Sequence, residues 1–325
     1  MAGSTAPEAP FGRMLTAMVT PMTLDGAVDY DGAARLATYL VDEHRHDGLV
    51  LNGTTGESPT TSDREKERLV RAVVEAVGDR ATVLAGVGTN DTRHSIELAH
   101  SAEKAGARGL LAVTPYYNKP PQEGLVRHFT AIADATDLPV MLYDIPGRTG
   151  VPIASETLVR LAEHPRIVAN KDAKDDLGAS TWVMARTDLA YYSGTDMLNL
   201  PLLAIGAAGF VSVVGHIVGT DLHDMIDAYL EGDVVRALAI HRRLTPVYTG
   251  IFRTQGVITV KAVLNLFGLP GGPVRSPLAD ASVELTTLLR GDLAAAGVKG
   301  PIGLAPDAAV PASAVKVDSV SEGSA

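Results

Sequence analysis

One stretch of the chain could make an amine into a nucleophile. Residues 166–173 read Arg-Ile-Val-Ala-Asn-Lys-Asp-Ala, an apolar run that turns polar at Lys171. If 167–170 is a buried strand of a parallel sheet, Lys171 stands at its carboxyl end, between a dry interior and an open mouth. Desolvation disfavours the ammonium there. A lysine with an ordinary pKa of about 10.4 then falls toward roughly 7 to 8 and can attack a ketone to form a Schiff base. Lys119 and Lys174 are rival amines in more exposed-looking contexts, and Lys171 also reads as a strand-end lysine reaching solvent.

Several groups could serve such an amine if they lie at neighbouring strand ends. Thr54 and Thr55 offer hydroxyls, although between Gly53 and Gly56 they read equally well as a tight turn. Tyr116, Tyr117 and Tyr143 could pass protons, and Tyr143 reads also as a core aromatic. Arg148, framed by Gly147 and Gly150, could fix a carboxylate or lie in a solvated loop. The histidines suit a metal poorly. His44 and His46 are two apart and would face different ways on a helix, and Asp221, His223 and Asp224 read as helix-start caps. No metal site is expected, and no phosphate loop or dinucleotide glycine fingerprint follows a strand.

The elements that must position these groups repeat. Apolar runs at 14–20, 48–51, 82–87, 110–113, 139–143, 167–170, 189–192 and 210–214 read as strands. Helix patterns follow at 31–44, 63–77, 92–104, 122–135, 155–163, 177–186, 200–207 and 218–230, and Ser62 with Glu65 forms a capping box before the second. Eight such units, each roughly 25 to 30 residues, imply a parallel sheet closed into a (β/α)8 TIM barrel. Its catalytic groups would sit at the carboxyl ends of the strands: Thr54 and Thr55, Tyr116 and Tyr117, Tyr143, Arg148, Lys171, Gly194 and Val211. Helix patterns at 233–244, 247–253, 260–267 and 282–295 add a small C-terminal all-helical domain. The expected division is a flexible N-terminus over 1–12, the barrel over 13–232, the helical domain over 233–298 and a disordered tail over 299–325.

Composition excludes several classes. The 325 residues include no cysteine, which removes disulfides, thiolate zinc sites and cysteine nucleophiles. A net charge of −10 without a basic cluster argues against a nucleic-acid partner. The first ten residues lack the basic start and apolar core of a signal peptide, so a cytoplasmic protein is expected. The uncharged stretch 198–220 has the length of a membrane helix, but Pro201, Gly206, Gly209 and Gly215 break it.

Four motifs then carry a resemblance. Gly53-Thr54-Thr55-Gly56-Glu57, Val113-Thr114-Pro115-Tyr116-Tyr117-Asn118, Leu142-Tyr143-Asp144-Ile145-Pro146-Gly147-Arg148-Thr149-Gly150 and Lys171-Asp172-Ala173 stand in order at consistent spacing. Together they resemble the 4-hydroxy-tetrahydrodipicolinate synthase (dihydrodipicolinate synthase) family, within the class I pyruvate-dependent aldolases, over about 15–297. The resemblance implies that Lys171 forms the Schiff base with pyruvate and that Thr54 and Thr55 hold its carboxylate. It implies a proton relay of Tyr143, Thr54 and Tyr117, with Tyr117 reaching into a neighbouring subunit. Arg148 would bind the carboxylate of L-aspartate 4-semialdehyde, and Gly194 and Val211 would line the pocket. No cofactor is implied. The expected assembly is a homo-oligomer, a tetramer built as a dimer of dimers.

The alternatives are a pyruvate aldolase or lyase acting on a sugar acid such as N-acetylneuraminate or a 2-keto-3-deoxy acid, and a catalytically silent keto-acid-binding barrel. Thr54, where the lyase usually has serine, and Arg148, which the lyase lacks, favour the synthase. Two departures from the family pattern stand out: Asn170 in place of a small or apolar residue before the lysine, and a divergent segment at 253–260, expected to affect only the helical domain. Lys66 and His94 occupy the positions of an effector site in lysine-inhibited members, which implies little or no lysine feedback.

Overall fold

The computed structural model describes residues 7–300. The eight strands are β1 (Met14–Ala17), β2 (Gly48–Leu51), β3 (Thr82–Gly86), β4 (Gly109–Val113), β5 (Val140–Asp144), β6 (Ile167–Asp172), β7 (Ala190–Ser193) and β8 (Gly209–Ser212). They pair in parallel in chain order, and β8 pairs with β1, so the sheet is a closed barrel. The helices α1 (Tyr30–Asp42), α2 (Asp63–Val77), α3 (Thr92–Lys104), α4 (Gln122–Ala135), the one-turn α5 (Pro146–Thr149), α6 (Ser155–Leu161), α7 (Leu177–Met184), α8 (Asn199–Ala204) and α9 (Gly215–Leu230) come between and after the strands. Beyond them lie α10 (Val234–Arg243), α11 (Thr245–Ile251), α12 (Gly256–Leu266) and α13 (Val283–Ala295). This is a TIM barrel followed by helices alone.

Strand alternation divides the core in two. Leu15, Val50, Leu84, Leu111, Met141, Tyr143, Ala169, Tyr192 and Val211 fill the barrel, while their sequence neighbours pack outward against the helices. The register pairs Tyr143 with Lys171 and Lys171 with Tyr192 on the inner face, and Leu142 with Asn170 and Asn170 with Tyr191 on the outer one. Asn170 therefore points away from the side chain of Lys171.

Phe11 is buried beneath the barrel, and Tyr192 donates its hydroxyl to the Gly12 carbonyl at 2.9 Å. Glycines at the strand starts make room for this plug. A Cβ at Gly109 would stand 2.6 Å from the Phe11 ring, and one at Gly209 2.0 Å from the Arg13 carbonyl oxygen. Residues 1–6 of the segment expected to be flexible lie outside the described residues, as do 301–325 of the expected tail.

Local chemistry sets the helix ends. Ser62 and Glu65 form the expected reciprocal cap of α2, and Asp29 and Asp91 cap α1 and α3 through the backbone N–H groups of Gly32 and Arg93. The stretch 198–220 is divided among α8, β8 and α9. No helix among the described residues is long and apolar enough to cross a membrane.

Three expectations need correction. Helix α12 starts at Gly256 rather than 260, because Gln255 in extended conformation opens it and the β-branched run that follows is carried by tertiary packing. Asp221, His223 and Asp224 lie within α9 and do not cap it. Asp221 pairs with Arg243, Asp224 with Arg45, and His223 with Asp227. Helix α1 ends before His44, so His44 and His46 lie in the turn after it with ring centroids 6.3 Å apart. His46 bonds Thr16 Oγ1 at 2.6 Å, and His216 accepts from the Val19 N–H at 3.0 Å. Burial pushes all three histidines down, to about 4 for His44 and His216 and about 3 for His46. They form a neutral cluster, and among the described residues no three or more His, Cys, Asp or Glu side chains converge as a metal site.

Candidate active site

Lys171 is carried on β6 with its side chain inside the barrel and only 4% exposed. Its Nζ lies 4.2 Å from the centre of the Tyr143 ring. Burial pushes its pKa down to about 7; the negative charge of Asp196 opposes that shift and the positive charge of Arg148 adds to it. The rivals are placed differently. Lys119 is exposed in the loop after β4, and Lys174 is tethered outside the barrel, 3.4 Å from the Ile153 carbonyl and 3.7 Å from Asp144.

Tyr143, inward on β5, is 5% exposed. Burial raises its phenol to about 12, against the lowering effects of Arg148 and of a hydrogen bond with Thr54. The phenol is therefore protonated at neutral pH, with the Thr54 hydroxyl close enough to lower it slightly. Thr54 and Thr55 belong to a tight turn after β2. Gly56 and Ser58 donate their N–H groups to the Gly53 carbonyl at 3.1 and 3.3 Å, and Glu57 donates to that of Thr54 at 3.2 Å. Thr20 Oγ1 ties the turn to the segment after β1 through the Gly56 carbonyl at 2.7 Å. The motif is therefore a tight turn, and that turn sets Thr54 in the wall of the cavity.

A cavity of about 210 Å³ opens above these groups. Thr54, Tyr116, Tyr143 and Arg148 line it, together with apolar Leu111 and Val113. Lys171 and Thr55 are not in that lining; Lys171 reaches it only through its contact with the ring of Tyr143. Gly194 and Val211 are not in that lining. Gly194 lies against the lysine instead, and a Cβ there would stand 3.0 Å from Lys171 Cε. Val211 is a fully buried barrel residue. Tyr117 is brought to no group of this site. It is 89% exposed, with a left-handed backbone at φ +73°.

Three groups escaped the sequence reading, Asp196, Lys261 and Gln255, and the role of a fourth, Glu57, was not read. Asp196 is buried at the end of β7, accepts bonds from Ser212 Oγ at 2.5 Å and from the N–H groups of Val213 and Val214 at 3.0 and 3.1 Å, and is pushed up by burial. Glu57, in left-handed conformation at φ +56°, accepts from Lys261 Nζ at 2.5 Å, and both side chains are almost wholly buried. Gln255 accepts from Arg148 Nη2 at 2.6 Å. Glu57 was visible as part of its motif, but nothing local marks the partners. The segment 253–260 thus reaches the site itself, and its effect is not confined to the helical region.

A TIM barrel with a desolvated lysine on its sixth strand, hydroxyls beside it and a guanidinium at the mouth has the design of an imine-forming, aldolase-type enzyme. Comparison with known proteins gives the particular lineage. Residues 10–296 match the profile of the dihydrodipicolinate synthetase family. The chain is 69% identical over 299 residues to 4-hydroxy-tetrahydrodipicolinate synthase 2 of Streptomyces coelicolor, covering 92% of this chain and all of that protein. It is 72% identical over 289 residues to the 4-hydroxy-tetrahydrodipicolinate synthase of Acidothermus cellulolyticus, covering 89% and 94%. Among solved structures, dihydrodipicolinate synthase from Cyanidioschyzon merolae with lysine bound superposes with a TM-score of 0.87 at 43% identity, covering 89% of this chain and 99% of that one. The chain belongs to the dihydrodipicolinate synthetase family.

Proposed function

We propose that the protein condenses pyruvate with L-aspartate 4-semialdehyde, the reaction of the 4-hydroxy-tetrahydrodipicolinate synthases, in lysine and diaminopimelate biosynthesis. The observation that carries the reading is the buried Lys171 against Tyr143, with Thr54, Tyr143 and Arg148 lining one cavity. An amine with a pKa of about 7 is half neutral at physiological pH. It attacks the pyruvate carbonyl carbon, water leaves, and an iminium forms. Loss of a methyl proton gives an enamine, whose carbon bonds to the aldehyde carbon of the second substrate. The amine of that substrate then attacks the imine carbon, closing the ring and releasing Lys171, so one water is lost overall.

In this reading Thr54 and Thr55 hold the pyruvate carboxylate through hydroxyl and backbone donors. Tyr143, Thr54 and Tyr117 move protons without adding charge to a dry site. Arg148 binds the carboxylate of the aldehyde substrate. Gly194 leaves room for the lysine, and Val211 packs inside the barrel on the last strand. The chemistry calls on no cofactor. The exposure of Tyr117 supports a homo-oligomer, a tetramer arranged as a dimer of dimers, in which this side chain completes a neighbour's relay. The helical region 233–298 acts as a domain supporting the barrel mouth, and the protein works in the cytoplasm. Lys66 donates to the Thr61 carbonyl and His94 bonds Asp63 at 2.9 Å. We take the absence of a carboxylate at these two positions to mean weak lysine feedback; half-inhibition by sub-millimolar L-lysine would contradict it.

Turnover measured with pyruvate and L-aspartate 4-semialdehyde beside N-acetylneuraminate and 2-keto-3-deoxygluconate tests the substrate class. Condensation of the first pair that collapses in Arg148→Ala is the expected result. Cleavage of a sugar acid that survives this substitution would overturn it.

A further inference from the structure

Arg148 carries a long flexible side chain on a turn that is itself well fixed. Thr149 and Gly150 donate their N–H groups to the Ile145 and Pro146 carbonyls at 3.1 and 2.9 Å. Nothing in that turn selects among the side chain's rotamers. The atom that does lies 107 residues away: Gln255 Oε1 accepts from Arg148 Nη2 at 2.6 Å.

The chemistry of this partner matters. A carboxylate in its place would hold the guanidinium equally well but cancel the charge a substrate carboxylate needs. The amide oxygen orients the fork and leaves that charge in place, and no carboxylate among the described residues lies within ion-pair distance of Arg148. Gln255 also stands on firm ground. It opens α12, whose second turn is held by Thr259 Oγ1 on the Ile251 carbonyl at 2.6 Å and by the buried ammonium of Lys261 on Glu57 and on the Pro273 carbonyl at 2.5 and 2.7 Å. The helix that aims Arg148 is thus the one tied to the Thr54 turn.

We propose that Gln255 is a specificity-determining positioning residue, whose neutral side-chain oxygen aims Arg148 at the carboxylate of the second substrate. The inference rests on the condensation reading above. Both side chains are exposed, so substitutions at 255 leave the barrel packing intact.

The test compares wild type, Gln255→Ala, Gln255→Glu and Arg148→Ala, measuring imine formation with pyruvate by borohydride trapping and steady-state condensation separately. Gln255→Ala should raise KM for L-aspartate 4-semialdehyde about tenfold, the loss expected of one charge-assisted bond, with the pyruvate-trapping rate unchanged. Gln255→Glu should raise that KM further although it restores an acceptor, because it neutralises the guanidinium; a role confined to structure would instead be rescued by glutamate. Unchanged KM in Gln255→Ala, or wild-type KM in Gln255→Glu, would overturn the proposal while the functional reading stands. A wild type that traps no pyruvate, or an Arg148→Ala variant with normal KM for the aldehyde, would overturn that reading and this inference with it.

Discussion

Replacing Lys261 by methionine should destabilise the protein and loosen its substrate turn together. The ammonium is 2.5 Å from Glu57 Oε1, and the two side chains are 2% and 1% exposed. Glu57 Oε2 keeps a second donor, the Arg275 N–H at 2.8 Å. Methionine matches the lysine stem in volume, so packing changes little, but the carboxylate loses its counter-charge where water cannot replace it. Breaking a buried pair in this way costs about 3–5 kcal/mol. At about 2 °C per kcal/mol for a chain of this size, the melting temperature should fall by roughly 6–10 °C. Glu57→Gln alone should cost a similar amount by stranding the ammonium. The double variant should cost less than the sum of the two, with a coupling of about 2–3 kcal/mol. Because Glu57 closes the turn that carries Thr54 and Thr55, KM for pyruvate should rise in each single variant. Urea denaturation of the four proteins, with pyruvate saturation curves alongside, measures all of this. Additive single effects, or a Lys261→Met protein as stable as wild type with unchanged KM, would refute the claim that this pair holds the turn.

Other predictions concern pH and space. Because Lys171 is lowered to about 7, the rate of pyruvate trapping should climb from pH 6, bend near 7 and level off by about 8, whereas an unshifted lysine would still be rising beyond pH 9. Gly194→Ala would put a Cβ 3.0 Å from Lys171 Cε and 3.0 Å from the Asp172 carbonyl oxygen. The backbone oxygen cannot yield, so kcat should drop about 100-fold while the melting temperature moves by only a few degrees, read by kinetics beside a thermal scan. The buried histidines make the fold acid-sensitive. His46 and His216 are lowered to about 3 and about 4, so below about pH 6.5 the unfolded chain binds protons that the folded one does not, and each should cost roughly 2 kcal/mol by pH 5. Asp144, raised to about 6 by burial, works in the opposite sense, so the comparison to make is the shift in urea midpoint between pH 7.5 and 5 for wild type against His216→Gln, which should lose part of it.

The barrel was legible because each unit announces itself locally: a buried parallel strand is an apolar run, and the helix after it keeps a 3.6-residue period with its own cap, as Ser62 and Glu65 do. Lys171, Tyr143 and Thr54 were legible because a barrel puts chemistry at strand ends, so that counting strands locates candidates. What escaped was long-range pairing. Glu57 and Lys261 stand 204 residues apart, and nothing in either neighbourhood says that a carboxylate in left-handed backbone will find an ammonium in a C-terminal helix. Gln255 escaped for the same reason, and because the run Val257-Ile258-Thr259-Val260 has β-strand propensity that concealed the start of its helix. Asn170 shows the converse. Its place next to Lys171 in sequence made it conspicuous, and strand alternation puts it on the opposite face, where its Oδ1 has no hydrogen-bond partner among the described residues.

The central claim is that Lys171 carries pyruvate as an imine. Incubation with pyruvate, reduction with borohydride and peptide mapping by mass spectrometry test it in one measurement. The account predicts a single reduced pyruvyl adduct on Lys171, absent from Lys171→Ala. An adduct on Lys119 or Lys174, or no adduct at all under conditions in which the protein is folded, would contradict it.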